Sequence, residues 1–157
     1  MKINLHTFLG ISGVGGLTKY IYIVKNNLVM ETIETYKTLI EKAFENAENN
    51  ISKITTDIIN MEGMSGIKTR HFYNNLLNTK DARYLEIGTW KGSSVCSAMC
   101  GNKAKVVCID NWSEFGGPKS EFLLNFEKFK GENDATFIEN DCFNPRTTDV
   151  KNFTLTV

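Results

Sequence analysis

The amino-acid sequence predicts an α/β fold: an incomplete parallel sheet of about four strands with an N-terminal helical extension. Two observations lead there. From residue 84 onward, short apolar runs alternate with segments of helical period, as in strands joined by helical crossovers. The composition is that of an ordinary globular domain: 157 residues, 41% hydrophobic and 23% charged, long enough to bury a core.

Residues 1–30 read as a poorly defined extension. Gly10, Gly13, Gly15 and Gly16 make a flexible segment, and Tyr20, Ile21, Tyr22, Ile23 and Val24 form a strand-like run. Lys19 after such dense glycine invites a phosphate-loop reading, but the order G-x-x-x-x-G-K-[ST] is absent, which favours a loose extension. Lys2 precedes an apolar stretch over residues 5–24, which Gly, Ser, Thr, Lys and His interrupt. That stretch suits neither a spanning helix nor a secretory signal, so a cytoplasmic protein is expected.

Residues 31–60 form an amphipathic helical segment. Ile33, Tyr36, Ile40, Ala43, Ala47, Ile51, Ile54 and Ile58 recur at spacings of three and four, and Asn49-Asn50 marks a break into two helices. Such a stripe is a packing element or a dimer surface. A loop at Glu62-Gly63-Met64-Ser65-Gly66 then leads into a helix over 67–77, with Ser65 as its N-cap.

Beyond a polar turn at 78–81 the period changes. Strands are predicted over 84–88, 105–110 and 135–139, and helices over 93–99 and 119–129. Phe153, Leu155 and Val157 alternate with threonine and predict a fourth strand. Residues 61–157 are thus the sheet domain.

Lys plus Arg equals Asp plus Glu, 18 against 18. No overall positive field exists to hold nucleic acid or an anionic membrane, which leaves a small molecule as the expected partner. Cys96, Cys100, Cys108 and Cys142 form no C-x-x-C pair and have no histidine cluster nearby. They are expected to be free thiols in a reducing compartment, with no metal site.

A parallel sheet binds its ligand beyond the carboxyl ends of the strands. The run Glu86-Ile87-Gly88-Thr89-Trp90-Lys91-Gly92-Ser93-Ser94 stands at such an end and opens a helix. Gly88 permits a tight turn and Gly92 a close backbone approach to a ligand. The amides of Gly92, Ser93 and Ser94 would face an anionic group, whereas the Glu86 carboxylate suits a cationic amine. Asp110 ends the second strand, 24 residues after Glu86, where an acid can accept from both hydroxyls of a ribose. Asp141 follows the third strand and could accept from an exocyclic adenine amine. Trp112 and Phe115 either pack on an adenine face or anchor their loop. His71, the histidine near this site, is either a base or a packing residue. A nicotinamide dinucleotide fits less well, because G-x-G-x-x-G is absent and Glu86 would repel pyrophosphate.

These residues resemble the class I S-adenosylmethionine-dependent methyltransferase family. E-I-G-T-W-K-G-S-S fits its first motif, an acid and two spaced glycines followed by small residues. The longer form L-E-I-G-T-W-K-G-S-S is similar to small-molecule O-methyltransferases related to macrocin O-methyltransferase. The resemblance implies a Rossmann-like domain that binds S-adenosyl-L-methionine and transfers its methyl group to a small-molecule O or N acceptor. Glu86, Gly88 and Gly92 would line the methionine end, Asp110 the ribose and Asp141 the adenine. Thr89, Ser93, Ser94, Asn111 and Trp112 complete the implied cofactor-binding set, and no catalytic residue is assigned. The upstream run G-M-S-G-I-K-T-R-H-F looks like the helix that covers the site in such enzymes, with Lys68 and Arg70 toward the ligand carboxylate.

The family's fold continues past a fourth strand, and its acceptor-binding groups come from that later half. The chain is therefore expected to be a truncated product, to join an assembly in which a second copy or partner chain completes the sheet, or to use residues 1–60 as cover. A non-catalytic binding or interaction module is the alternative function.

Overall fold

A computed structural model describes residues 15–141, with side chains from residue 32 onward. Its α/β architecture is a three-stranded, all-parallel sheet alternating with helices, preceded along the chain by an N-terminal helix. The fourth strand expected at 153–157 lies outside the described residues.

Helix α1 spans Gly15–Glu48. It includes residues 20–24, so the strand expected there is helix instead. The preference of β-branched and aromatic residues for strands depends on a neighbouring strand to pack against, and context overrides it here. The chain divides into two compact units, residues 1–38 and 39–157, and the division falls within α1. The asparagine pair does end the helix. Asn50 takes φ +55°, its amide donates to Ala47 O at 3.1 Å, and the Ile51 amide donates to Asn46 O at 2.8 Å. That paired closure around a left-handed residue is a Schellman cap, with asparagine where glycine is commoner. Of the apolar stripe, Ala43, Ala47 and Ile58 are buried, whereas Ile33, Tyr36, Ile40 and Ile51 are exposed.

The short helix α2, Thr56–Ile59, precedes the loop at 60–66. Helix α3 spans Ile67–Leu76 and its N-cap is Gly66, not Ser65. The Ser65 hydroxyl lies 3.0 Å from Ser93 Oγ and accepts from Arg70 Nε at 3.1 Å. A long-range partner has thus taken the oxygen that would have capped the helix.

The sheet runs β1 (Arg83–Ile87), β2 (Lys105–Asp110) and β3 (Asp134–Glu139) in that order. Helices α4 (Ser93–Met99) and α5 (Lys119–Lys130) are the crossovers. Glu86 is in register with Cys108, and Asp110 with Glu139. Because side chains alternate across a strand, Tyr84, Val106, Cys108, Ala135 and Phe137 share one face. They pack with Val95, Cys96 and Met99 of α4 and Phe122 and Phe126 of α5 to form the core. Leu85, Ile87, Val107, Ile109 and Ile138 alternate to the opposite face and take no part in that cluster. Among the described strands β1 pairs with β2 alone, and Ile87 at this edge is 58% exposed.

Three asparagines finish α4 in a way no local pattern announces. A helix leaves its last four carbonyls without intrahelical donors. Here Asn74 Nδ2 donates to Ser97 O and Cys100 O, both at 2.8 Å. Asn102 Nδ2 donates to Ala98 O at 2.9 Å and Asn133 Nδ2 to Met99 O at 3.0 Å. All three side chains are buried, so water cannot substitute for them. Asn74 Oδ1 also accepts from the Lys53 amide at 2.9 Å. Asn74→Leu would strand those three backbone groups, and a loss of about 3 kcal/mol is expected. A thermal midpoint lower by about 10 °C in scanning calorimetry would register it; an unchanged midpoint would mean the carbonyls find other donors.

Among the described residues no helix is long and apolar enough to cross a membrane.

Candidate functional site

A cavity of about 340 Å³ opens at the carboxyl ends of the three strands. Gly88 after β1, Asp110 and Asn111 after β2, and Asp141 after β3 line it, with Ile87, Ile109 and Asn140. Four residues assigned to the ligand by the sequence are thus brought together. A larger cleft, about 810 Å³, lies at the opposite ends of the strands, beside Arg83, Lys105 and Asp134. Lys53 in that cleft is spent on Asn78 Oδ1, Gly101 O and Asn102 Oδ1 at 2.8–3.1 Å. The rule that parallel sheets bind at their carboxyl ends places the site in the smaller cavity.

Asp110 organises that end of the sheet. Its Oδ2 accepts from the Thr89 amide at 2.7 Å, the Trp90 amide at 3.1 Å and the Thr89 hydroxyl at 3.3 Å. Its Oδ1 accepts from the Trp112 amide at 2.8 Å. Burial alone would raise the Asp110 carboxyl, but the three amides and the hydroxyl outweigh it and hold the group below its ordinary value. Each carboxylate oxygen offers about two lone-pair positions; Oδ2 shares its pair among three donors, whereas Oδ1, with one donor, keeps a position open. Thr89 is buried and directed at Asp110 rather than at the cavity.

The loop between β1 and α4 requires its glycines for different reasons. Gly88 sits at φ +80° with open space where a Cβ would be, so a ligand can approach its backbone. Gly92 sits at φ +86°, but a Cβ there would meet the Phe122 ring at 3.1 Å. What approaches Gly92 is the core, not a ligand. Its amide closes the turn onto Thr89 O at 2.8 Å and is therefore committed. Ser93 is buried beneath the preceding loop, since a Cβ on Gly63 would fall 2.0 Å from Ser93 Oγ. Ser94 lies in the first turn of α4 and is half-buried.

Glu86 stands apart from the cavity. By alternation it faces the helices, and its Oε2 accepts from the Tyr84 hydroxyl. Burial pushes its carboxyl up to about 7, the Tyr84 bond opposes that rise, and Asp110 adds to it.

The aromatic residues separate clearly. Trp112 packs its ring 5.3 Å from Phe122 and 5.6 Å from Phe137, where it anchors the loop to the core. Phe115 is 73% exposed, and its carbonyl accepts from Trp90 Nε1 at 3.0 Å. Asn111 Oδ1 closes a turn with the amide and hydroxyl of Ser113 at 3.1 and 2.8 Å.

Arg70 does not face a ligand carboxylate. It is 3% exposed, and its guanidinium donates to Ile58 O, Ile59 O, Met61 O, Ser65 O and Ser65 Oγ. Lys68 is exposed and pairs with Glu48 at 2.5 Å. His71 is buried with its Nδ1 2.8 Å from Ser52 Oγ, away from the cavity lining, and burial lowers its pKa. It belongs to the packing of α3. Cys96, Cys100 and Cys108 are buried and free, and burial raises each thiol. Among the described residues no group of His, Cys, Asp and Glu is arranged to hold a metal ion.

Sequence reasoning missed Tyr84 as a partner of Glu86. The signal was present: residues two apart on a strand share a face. It also missed Asn140, for which no comparable signal exists.

Compared with family models, with curated proteins and with solved structures, the chain matches none.

Proposed function

We propose that the chain binds S-adenosyl-L-methionine across the carboxyl ends of β1, β2 and β3, as the nucleotide-binding half of a class I methyltransferase-like protein. The observation that carries this reading is the convergence of Gly88, Asp110, Asn111 and Asp141 on one cavity. Its volume lies at the lower end of small-ligand sites, about 300 Å³ and upward. The free lone pair of Asp110 Oδ1 suits a ribose hydroxyl, and the Asp141 carboxylate suits an exocyclic adenine amine. Glu86, which the resemblance assigns to the ligand ammonium, lies outside the lining of this cavity. The ligand carboxylate needs a partner other than Arg70, which is buried and whose Nε and Nη1 donate to the chain itself.

Bound there, S-adenosylmethionine would supply a sulfonium methyl group for direct displacement by a small-molecule oxygen or nitrogen. The chain's part would be to hold and align the donor. A non-catalytic interaction module is the second reading, favoured by the β1 edge, which pairs on one side only among the described strands.

Calorimetric titration of the full chain with S-adenosylmethionine and S-adenosylhomocysteine tests the proposal. Saturable binding of both in the micromolar range is expected. No heat of binding from a chain whose circular dichroism shows it folded would overturn the proposal and leave the interaction module.

A further inference from the structure

We propose that the linker between α1 and α2 is held by a proton-sensitive clasp: protonation of His71 on α3 loosens its grip on Ser52, so that acid opens the linker locally while the sheet stays intact.

The clasp is one face of a helix. His71, Asn74 and Asn75 stand at i, i+3 and i+4 on α3 and so project from the same side. Each holds a successive part of the linker. Asn75 Nδ2 donates to Ile51 O at 2.8 Å, His71 Nδ1 lies 2.8 Å from Ser52 Oγ, and Asn74 Oδ1 accepts from the Lys53 amide at 2.9 Å. The end of α1 docks beside them, with Phe44 stacked on Phe72 at 4.2 Å and Glu48 paired with Lys68. Of the three clasping side chains, only the histidine changes charge between about pH 5 and about pH 8.

Its surroundings accept the neutral ring and oppose the charged one. Ser52 Oγ accepts from the Ile54 amide at 3.2 Å, and among the described residues the acceptor open to its own proton is His71 Nδ1. The neutral ring therefore carries its proton on Nε2. That atom is buried and, among the described residues, has no hydrogen-bond partner; the whole residue is 3% exposed. A second proton would enter on Nδ1 and meet the serine hydroxyl donor to donor. It would also place a positive charge in a site that offers Nε2 no acceptor.

Among the described residues no carboxylate pairs with the ring to offset that charge. Glu48 of α1 is taken by Lys68, and Arg70 of α3 is turned to Ile58 O, Ile59 O and Met61 O. The Lys53 ammonium binds Asn78, Gly101 and Asn102, while the Cys100 thiol at the end of α4 donates to Lys53 O. Burial holds the His71 pKa below its ordinary 6.5. The unfolded or opened chain is then the stronger base, so the clasp is complete above 6.5 and is lost as pH falls through the folded midpoint.

Amide exchange on the full chain, followed by NMR from about pH 7.5 down to about pH 4.5, tests the proposal. Rates are expressed as protection relative to an unstructured amide at the same pH. Protection of the Lys53 and Ile54 amides should fall by up to about tenfold for each pH unit below 6.5. Protection of Val106 and Cys108, in the central strand, should hold over the same range. His71→Asn keeps an acceptor for the Ser52 hydroxyl but takes up no proton, and should make the Lys53 and Ile54 profile flat. The ring resonances of His71 in the unaltered chain supply a second reading that needs no variant: they should titrate below 6.5, in step with the loss of protection. A ring that titrates at 6.5 or above overturns the proposal. So does a loss of protection as steep in His71→Asn as in the unaltered chain, or one shared equally by Val106 and Cys108, which would be acid unfolding of the whole domain.

Discussion

Arg70→Ala is expected to cost the folded chain about 4 kcal/mol and to lower its thermal midpoint by more than about 10 °C. The guanidinium is buried and, among the described residues, has no carboxylate partner, so its charge is solvated by the chain's own carbonyl dipoles. Nη1 alone donates to Ile58 O at 2.6 Å, Met61 O at 2.8 Å and Ile59 O at 3.2 Å, while Nε donates to Ser65 O at 3.0 Å. These carbonyls belong to the end of α2 and the loop before α3. Removing the side chain withdraws a charged donor from all four carbonyls and leaves Ile58 O with the Met61 amide at 3.2 Å; hydrogen bonds from a charged group are among the costlier to lose. Lysine cannot replace the planar fork, and Arg70→Lys should recover less than half of the loss. The damage should also reach the ligand site, because the same loop lays Gly63 over Ser93 at the start of α4. Differential scanning calorimetry on the three chains measures the effect. A midpoint for Arg70→Ala within a few degrees of the unaltered chain would show that the loop finds other donors.

The contrast between Arg70 and Asp110 shows where sequence reading succeeds and where it stops. The strand ends were legible because a parallel α/β unit writes its period directly into the chain: β2 and α4 fall where the alternation places them, and β1, β3 and α5 differ by a residue at one end or both. Asp110, Gly88 and Asp141 follow from that, since the end of a strand is a position along the sequence. Contacts between distant side chains and backbone are not. The resemblance turned Arg70 toward a ligand carboxylate, yet its acceptors lie 5–12 residues upstream. Asn74, Asn102 and Asn133 carry no signal in the local pattern, and only the fold directs them to the end of α4. Residues 20–24 misled for the opposite reason. Their local preference was for a strand, and among the described residues no strand pairs with them.

Asp110→Asn is the second large effect, and it separates binding from folding more sharply than truncation to alanine would. The amide has one oxygen where the carboxylate has two. Placed on Thr89 and Trp90, that oxygen leaves its NH2 against the Trp112 amide; turned over, it sets NH2 against the other two donors. Either way two donors face each other. The consequence is greater because Trp90 and Trp112 stand at φ +46° and +57°, left-handed conformations that a bulky residue adopts only when its surroundings hold it there. Without both sets of bonds the loop between β1 and α4 should relax, and amide exchange at Thr89 and Trp90 should accelerate by about tenfold or more. Ligand affinity should fall by up to about 100-fold, the equivalent of one charge-assisted hydrogen bond. The acid limb follows the same logic. Because the folded Asp110 carboxyl lies below its ordinary 3.8, its stabilisation is present above that value and is lost as pH falls through the folded midpoint. Asp110→Asn should therefore flatten the acid side of the stability profile. Faster amide exchange with unchanged nucleoside affinity would make Asp110 a loop brace alone. Slow exchange with affinity lost would instead place its remaining lone pair on the ligand itself.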